Sequence, residues 1–433
     1  MASSPEPVSS LQSLQLDLPP SCVEFCPAFP SYFLVGTYNL QKDEETTAAK
    51  TANSTNSEED DDDNDKPTSP VKPQSRNGSI IVLRIFDKTL IQVQTVPQPS
   101  AILDLHFNPS PGHQELCAVV SSTGTLAIFQ LLPDEDQPLK HIRTMDVATM
   151  SESAGYTALE SGVILTSFCW HPLREETIAI TTSAGLVYLV DLGPTGEGGS
   201  LYPEPVTTHS LEAWCVAISP SLVPAEQGRG GELRGGGAFM VFSGGDDSAL
   251  YYRICFPAAG ADVLDTDSDE DGQDEPKLAV RLRDHGAGVT AILPVALKGE
   301  SQLVVTGSYD DHIRLFSVAS TPTTYSPGEA RKLAECNLGG GVWRLKLVQL
   351  SKNFPDEHEW RAVVLASCMH AGVRVVELSK SADGDYEFHV IGSFVEHKSM
   401  NYGSDIQPGW TDNLSVISTS FYDKLLCLWD FAL

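Results

Sequence analysis

Apolar residues in this chain fall into short runs, and many of the runs alternate with polar residues. AILDLHF at 101–107 and IRLFSV at 313–318 are typical. A period of two, broken by clusters of Gly, Pro, Ser and Asp, predicts β-strands, and helical periodicity is almost absent. The runs also return in a fixed order: an inner strand often closed by proline, then a hairpin, then an outer strand. The inner strands read SCVEFCP, AILDLHFNP, LTSFCWHP, AWCVAISP, VTAILP, GVWRLKL and NYGSDIQP. The hairpins that follow them begin near Tyr32, Cys117, Thr177, Phe239, Leu303, Val363 and Leu414.

Seven units of four strands predict an all-β fold: a single seven-bladed WD40-type β-propeller spanning 1–433. The signature dipeptide is literal only at Trp429-Asp430. The last run, LLCLWDF, supplies only the third strand of its unit. LQSLQLDLP near the N-terminus fits the missing fourth strand, so 11–19 is expected to pair with 425–431. Closing the ring in this way removes an exposed sheet edge.

Three insertions lengthen the repeat: an acidic one at 41–76 in blade 1, a glycine-rich one at 222–237 and an acidic one at 259–276. The net charge is −30, concentrated in EEDDDDND at 58–65 and DTDSDEDGQDE at 265–275. Such runs predict solvated, disordered loops, and a surface of this sign disfavours direct nucleic-acid binding. Asp267, Asp269, Asp271 and Gly272 mimic the start of a calcium loop, but Leu278 occupies the position that needs glutamate. Nine scattered cysteines without CxxC pairs point to a reduced protein with no metal. No signal peptide or membrane span is evident. The expectation is a cytoplasmic monomer without cofactor.

The later hairpins place Asp247, Asp310 and Asp423 in one column; VVLASCMHAGVRVVEL places His370 there. In WD repeats the hairpin aspartate commonly binds the histidine before the inner strand. Asp310 with His285, and Asp423 with His397, are expected to fix their turns in this way. His370 belongs to a unit opening GGGVWRL, which has no such histidine. It is either a hydrogen-bonded turn residue or a titrating group with a task. The hairpin turns share one face with the links into each inner strand. Trp214, Trp343, Arg344, Tyr402 and Asp405 on those links should therefore converge at one mouth. G-x-S-x-G, HExxH, a Walker loop and a strand-linked GxGxxG are missing.

Taken together, EAWCVAI, FSGGDDSALYYR, TGSYDDHIRLF, GGGVWRLKL, ASCMHAGVRV, MNYGSDIQ and TSFYDKLLCLWDF resemble the diphthine methylesterase family, WD-repeat proteins of diphthamide biosynthesis. The resemblance spans about 210–433. It implies hydrolysis of a methyl ester on a modified histidine of translation elongation factor 2. That substrate also carries a trimethylammonium group. Ester hydrolysis needs a base, a nucleophile and an oxyanion partner. For these the expectations are His370 as base, water or else Cys368 as nucleophile, and Arg344 or the backbone of 339–341 at the oxyanion. Quaternary ammonium is held over aromatic faces. Trp343, Trp214, Tyr309, Tyr402 and Tyr422 are expected to bind it, with Asp247 and Asp405 adding negative charge. The alternative is a non-catalytic scaffold that binds a protein at the same mouth.

Overall fold

In the computed structural model the described residues are 7–41, 75–153, 162–193, 199–220, 226–227, 233–234, 237–255, 279–298, 301–319, 330–351, 360–381, 383–410 and 413–433. They form seven antiparallel sheets in sequence order around a central channel. From inner to outer strand, blade 1 runs Pro20–Phe25, Tyr32–Thr37, Arg76–Phe86 and Thr89–Gln98, and blade 2 runs Ile102–Phe107, Leu116–Ser121, Thr125–Leu131 and Leu139–Asp146. Blade 3 has Leu165–Trp170, Thr177–Thr182 and Leu186–Asp191, with an outer strand split into Ser200–Leu201 and Thr207–Thr208. Blade 4 follows with Ala213–Ile218, Phe239–Gly245, Leu250–Cys255 and Val280–Leu282, and blade 5 with Val289–Lys298, Ser301–Ser308, His312–Ala319 and Arg331–Asn337. Blade 6 contains Arg344–Leu350, Trp360–Ser367, Val373–Lys380 and Tyr386–Phe394, and blade 7 contains Ser404–Ile406, Asn413–Ser420 and Leu425–Ala432.

The fourth strand of blade 7 is Gln12–Gln15, which pairs antiparallel with Leu425–Leu428, as the alternation in LQSLQLDLP predicts. The pairing is shorter than the expected 11–19 with 425–431. A second contact was not foreseen: Pro7–Val8 adds a parallel strand to the outer edge of blade 6, opposite Ser393 and Phe394. The N-terminus thus straps blades 6 and 7 together. Two residues carry too little periodicity to signal a strand.

Burial explains why the ring closes. Among the described residues the apolar core divides into seven clusters, each shared by two neighbouring blades. One joins blade 7 to blade 1, where Ile417, Leu426 and Leu428 pack with Phe25, Phe33 and Leu83, and Leu16 completes it. A blade buries its faces only against its neighbours, so an open ring would leave that cluster half-wet. Deleting 1–16 removes Leu14 and Leu16 from it, together with the Leu11 and Leu16 N–H bonds to the carbonyls of Leu428 and Lys424. Burying one leucine is worth about 1.5–3 kcal/mol. The truncated protein should lose roughly 2–4 kcal/mol by chemical denaturation; an unchanged midpoint would show that the strap does not close the ring.

The insertions at 41–76 and 259–276 lie almost wholly outside the described residues. Within 222–237, Glu226–Gln227 pairs with Leu233–Arg234 in a small antiparallel ribbon. One short helix, Val147–Ser153, follows blade 2. No helix of the described residues is long and apolar enough to cross a membrane.

Candidate functional site

The inner strands carry an unusual cargo. An innermost propeller strand is largely buried, yet these hold Glu24, Asp104, His106, Arg344, Lys346 and Asp405. Charges at such positions must pair or face a cavity. Here they do both. A cavity of about 700 Å³ occupies the channel, and Glu24, His106, Arg344, Lys346 and Asp405 line it.

Asp104 is the anchor of the cluster. Its carboxylate is fully buried and meets Arg344 Nη2 at 2.7 Å and His106 Nε2 at 3.3 Å. It also accepts the Ser167 hydroxyl at 2.7 Å. His106 Nδ1 contacts Glu24 on the other side. Burial alone would discharge this imidazole, but Asp104 and Glu24 outweigh it and hold His106 up at about 9, so it is cationic at neutral pH. Asp104 is likewise buried, yet Arg344 and His106 keep it far below the usual carboxylate range. Across the channel, Asp405 Oδ2 accepts the Phe25 N–H at 2.8 Å while Oδ1 lies 3.1 Å from Lys346 Nζ. Burial raises the Asp405 pKa; Lys346 opposes the rise and Glu24 reinforces it. Arg344 donates from Nε to the Tyr402 carbonyl at 3.2 Å, and its side chain stays 24% exposed toward the channel.

Above this layer lies an aromatic arc. Trp343 sits at its centre, with ring centroids 5.8 Å from Trp214, 5.8 Å from Tyr309 and 5.0 Å from Tyr402. Phe421 extends it 5.4 Å from Tyr402, and Tyr38 follows 6.2 Å from Phe421. All six line the cavity. Trp214, Trp343 and Tyr402 hold the same place at the head of the inner strands of blades 4, 6 and 7; Trp214, expected on a link, is the bulged second residue of Ala213–Ile218. The arc therefore follows from the repeat.

The structure thus brings together Trp214, Tyr309, Trp343, Tyr402, Arg344 and Asp405 from the residues singled out in the sequence. Tyr422 is 68% exposed and stands outside the cavity. Asp247 is not at the cavity either. Its Oδ1 meets His209 Nδ1 at 2.9 Å, and its Oδ2 faces Arg281 at 3.5 Å. It is a turn-fixing residue rather than a channel charge.

The turn pairs have a common form. Asp247, Asp310 and Asp423 each accept a backbone N–H from the residue after the link histidine: Ser210 at 3.2 Å, Gly286 at 2.6 Å and Lys398 at 3.3 Å. The histidines His209, His285 and His397 place Nε2 on Ser243, Thr306 and Ser418, all at 2.8–2.9 Å. The direct His–Asp bond expected for Asp310 with His285 and Asp423 with His397 is not made. Each pair is joined through the peptide N–H that follows the histidine.

Blade 6 lacks the whole set. Leu338 stands at the histidine position, Ala366 at the hydroxyl position and His370 at the aspartate position. Leu338 is buried and joins the core between blades 5 and 6. With no histidine link to tie down, the turn is held instead by its own backbone: Cys368 N–H to Gly372 O at 2.7 Å and Ala371 N–H to Cys368 O at 2.8 Å. His370 is exposed on that turn and does not line the cavity. Cys368 is buried, and burial pushes its thiol up to about 12. The two do not share a surface, although their spacing suggested that they would, because the turn begins between them. The neighbouring glycines serve this packing: a Cβ on Gly340 would strike the Cys368 carbonyl, and one on Gly341 would sit 2.8 Å from Met369 Sδ.

The sequence reading missed Glu24, Asp104, His106, Lys346, Phe421 and His209. A signal for the first four was present, since acidic or basic residues spaced two apart interrupt otherwise apolar inner strands.

Comparison with known proteins finds no matching family model. A protein of Saccharomyces cerevisiae named diphthine methyltransferase is 25% identical over 461 aligned residues, covering 97% of each chain. A Schizosaccharomyces pombe protein of the same name is 27% identical over 82% of this chain and 86% of its own. A human one is 24% identical over 92% and 74%. Among solved structures, a chain of a mitotic checkpoint complex crystal structure superposes over 99% of this chain and 98% of its own, with TM-score 0.52 and 11% identity, which supports the fold. Over most of its length, and not only in blades 4 to 7, the chain is therefore similar to the proteins named diphthine methyltransferase.

Proposed function

We propose that this protein hydrolyses the methyl ester of methylated diphthine on translation elongation factor 2, leaving the free carboxylate for the last step of diphthamide formation. The observation that carries the reading is one cavity holding both an aromatic arc and, one layer deeper, a buried set of acids and bases. A trimethylammonium group lies over Trp343 and its neighbours, drawn by their negative ring faces. The ester then reaches the charged layer below.

There the groups divide the work. Asp405, whose pKa burial raises, is the carboxylate best suited to take a proton from water. The water oxygen bonds to the ester carbon and the carbonyl oxygen gains negative charge. Arg344 and cationic His106 face that charge, held in place by Asp104 before the reaction starts. The C–O bond to the methoxy group breaks, Asp405 passes its proton to the departing oxygen so that methanol leaves, and the new acid releases its own proton to solvent and remains as the carboxylate. This assignment moves the base from the exposed blade 6 turn into the channel.

The relatives are named for methyl transfer and this reading is hydrolysis, so the experiment must show direction. Purified protein is incubated with methyl-esterified elongation factor and the factor's mass is followed. Loss of one methyl group, with methanol released, is expected. No loss with folded protein would leave the cavity as a binding mouth of a non-catalytic scaffold. His370→Ala separates the two locations for the base: it should retain full activity, and a large loss would return the base to that turn.

A further inference from the structure

The channel is not evenly lined. In blades 1 to 5 a bulge marks the top of the inner strand. Counting down to the same level in every blade gives a ring of seven positions, all on the cavity wall. Four neighbours in the ring are charged: Lys346 of blade 6, Asp405 of blade 7, Glu24 of blade 1 and His106 of blade 2. The other three are apolar: Cys169 of blade 3, Ala217 of blade 4 and Leu293 of blade 5. Burial pushes the Cys169 thiol up to about 12, so it stays neutral. The cavity continues past this arc along Ile218 and Pro294, both apolar.

We propose that the Cys169–Ala217–Leu293 arc is a subsite for the alkyl group of the ester, and that Ala217 sets how large that group can be. This rests on the esterase reading above. An ester bound with its carbonyl oxygen toward Arg344 and His106, and attacked by water from the Asp405 side, has its alkoxy group directed across the channel. At the level of this ring the wall that receives it is apolar, with Thr166, Ser167, Glu212 and Thr290 lining the cavity at higher levels. A buried methyl gains nothing from charged neighbours, whereas against Ala217 and Leu293 it leaves water. Ala217 has the smallest side chain of the three, so the space in front of it is the room available to a longer chain.

The test uses a synthetic peptide carrying the modified histidine as its methyl or its n-propyl ester, and reads the ratio of kcat/KM for propyl over methyl. Each added methylene that finds apolar wall should raise kcat/KM about fourfold. Ala217→Leu fills the space and should lower the ratio at least tenfold. Leu293→Ala enlarges the arc and should raise it severalfold, which keeps the proposal testable if the first variant folds poorly. A ratio unmoved by both substitutions, with methyl-ester hydrolysis intact in the unaltered protein, overturns the subsite and leaves the esterase reading standing. Failure of the unaltered protein to hydrolyse the esterified elongation factor itself overturns the esterase reading.

Discussion

Asp104→Asn should lower kcat/KM about a hundredfold, the usual cost of losing one preorganised charge partner of an oxyanion site. The substitution keeps the shape of the side chain and removes its charge. Arg344 then loses the partner 2.7 Å away, and His106 loses one of the two carboxylates that hold it cationic. A purely structural defect would lower activity by a constant factor at every pH. The proposed role makes a different demand. Activity that needs cationic His106 should fall in the unaltered protein as pH rises through about 9. In Asp104→Asn that alkaline limb should move down by about one unit or more, because an opposite charge has been taken from the imidazole.

Stability should follow the same group. The folded His106 pKa lies above the ordinary histidine value of 6.5. Its contribution is therefore fully present below about pH 6.5 and is lost as pH rises through about 9. The amount at stake is of order 3 kcal/mol. Chemical denaturation of the unaltered protein should show that decline between neutral and alkaline pH, and Asp104→Asn should flatten it while lowering stability throughout. An unchanged pH profile in the variant would separate Asp104 from the chemistry.

The repeat was legible in the sequence for a physical reason: each blade needs the same period-two strands and the same inner-strand ending, so the pattern is stated seven times. Ring closure was legible because LLCLWDF lacks a partner and LQSLQLDLP supplies one. The Pro7–Val8 strand was not, since a two-residue parallel pairing is decided by where the outer edge of blade 6 comes to lie. The site divides along the same line. Aromatic residues on the links stood out because link positions in a propeller face a mouth. Asp104 and His106 were passed over because the alternation of AILDLHF fits a half-buried strand, and nothing local says that its polar face meets a channel. His370 drew attention as the exception in an aspartate column. The structure gives the exception a context: blade 6 also has Leu338 and Ala366 where other blades have the histidine and the hydroxyl, so its turn has no histidine to hold.

Trp343→Ala should raise KM roughly ten- to thirtyfold while lowering kcat far less. The indole touches Trp214, Tyr309 and Tyr402 at once, so it supplies its own face and keeps its neighbours' faces turned toward the same space. A quaternary ammonium gains about 0.5–2 kcal/mol from such a face, and losing the central ring weakens more than one contact. In the proposed reaction the ester is placed a layer deeper, against Arg344 and Asp405, which Trp343 does not hold: Arg344 is fixed by Asp104 and the Tyr402 carbonyl, and Asp405 by the Phe25 N–H and Lys346. Binding and chemistry therefore rest on different partners, and a split between KM and kcat is the consequence. A substrate analogue with a neutral, uncharged group in place of trimethylammonium should show the same high KM in both proteins, because the ring then has no cation to attract. A variant that loses kcat with KM unchanged would place Trp343 in the chemistry rather than in binding. A variant that weakens charged and neutral substrates alike would reduce the arc to packing.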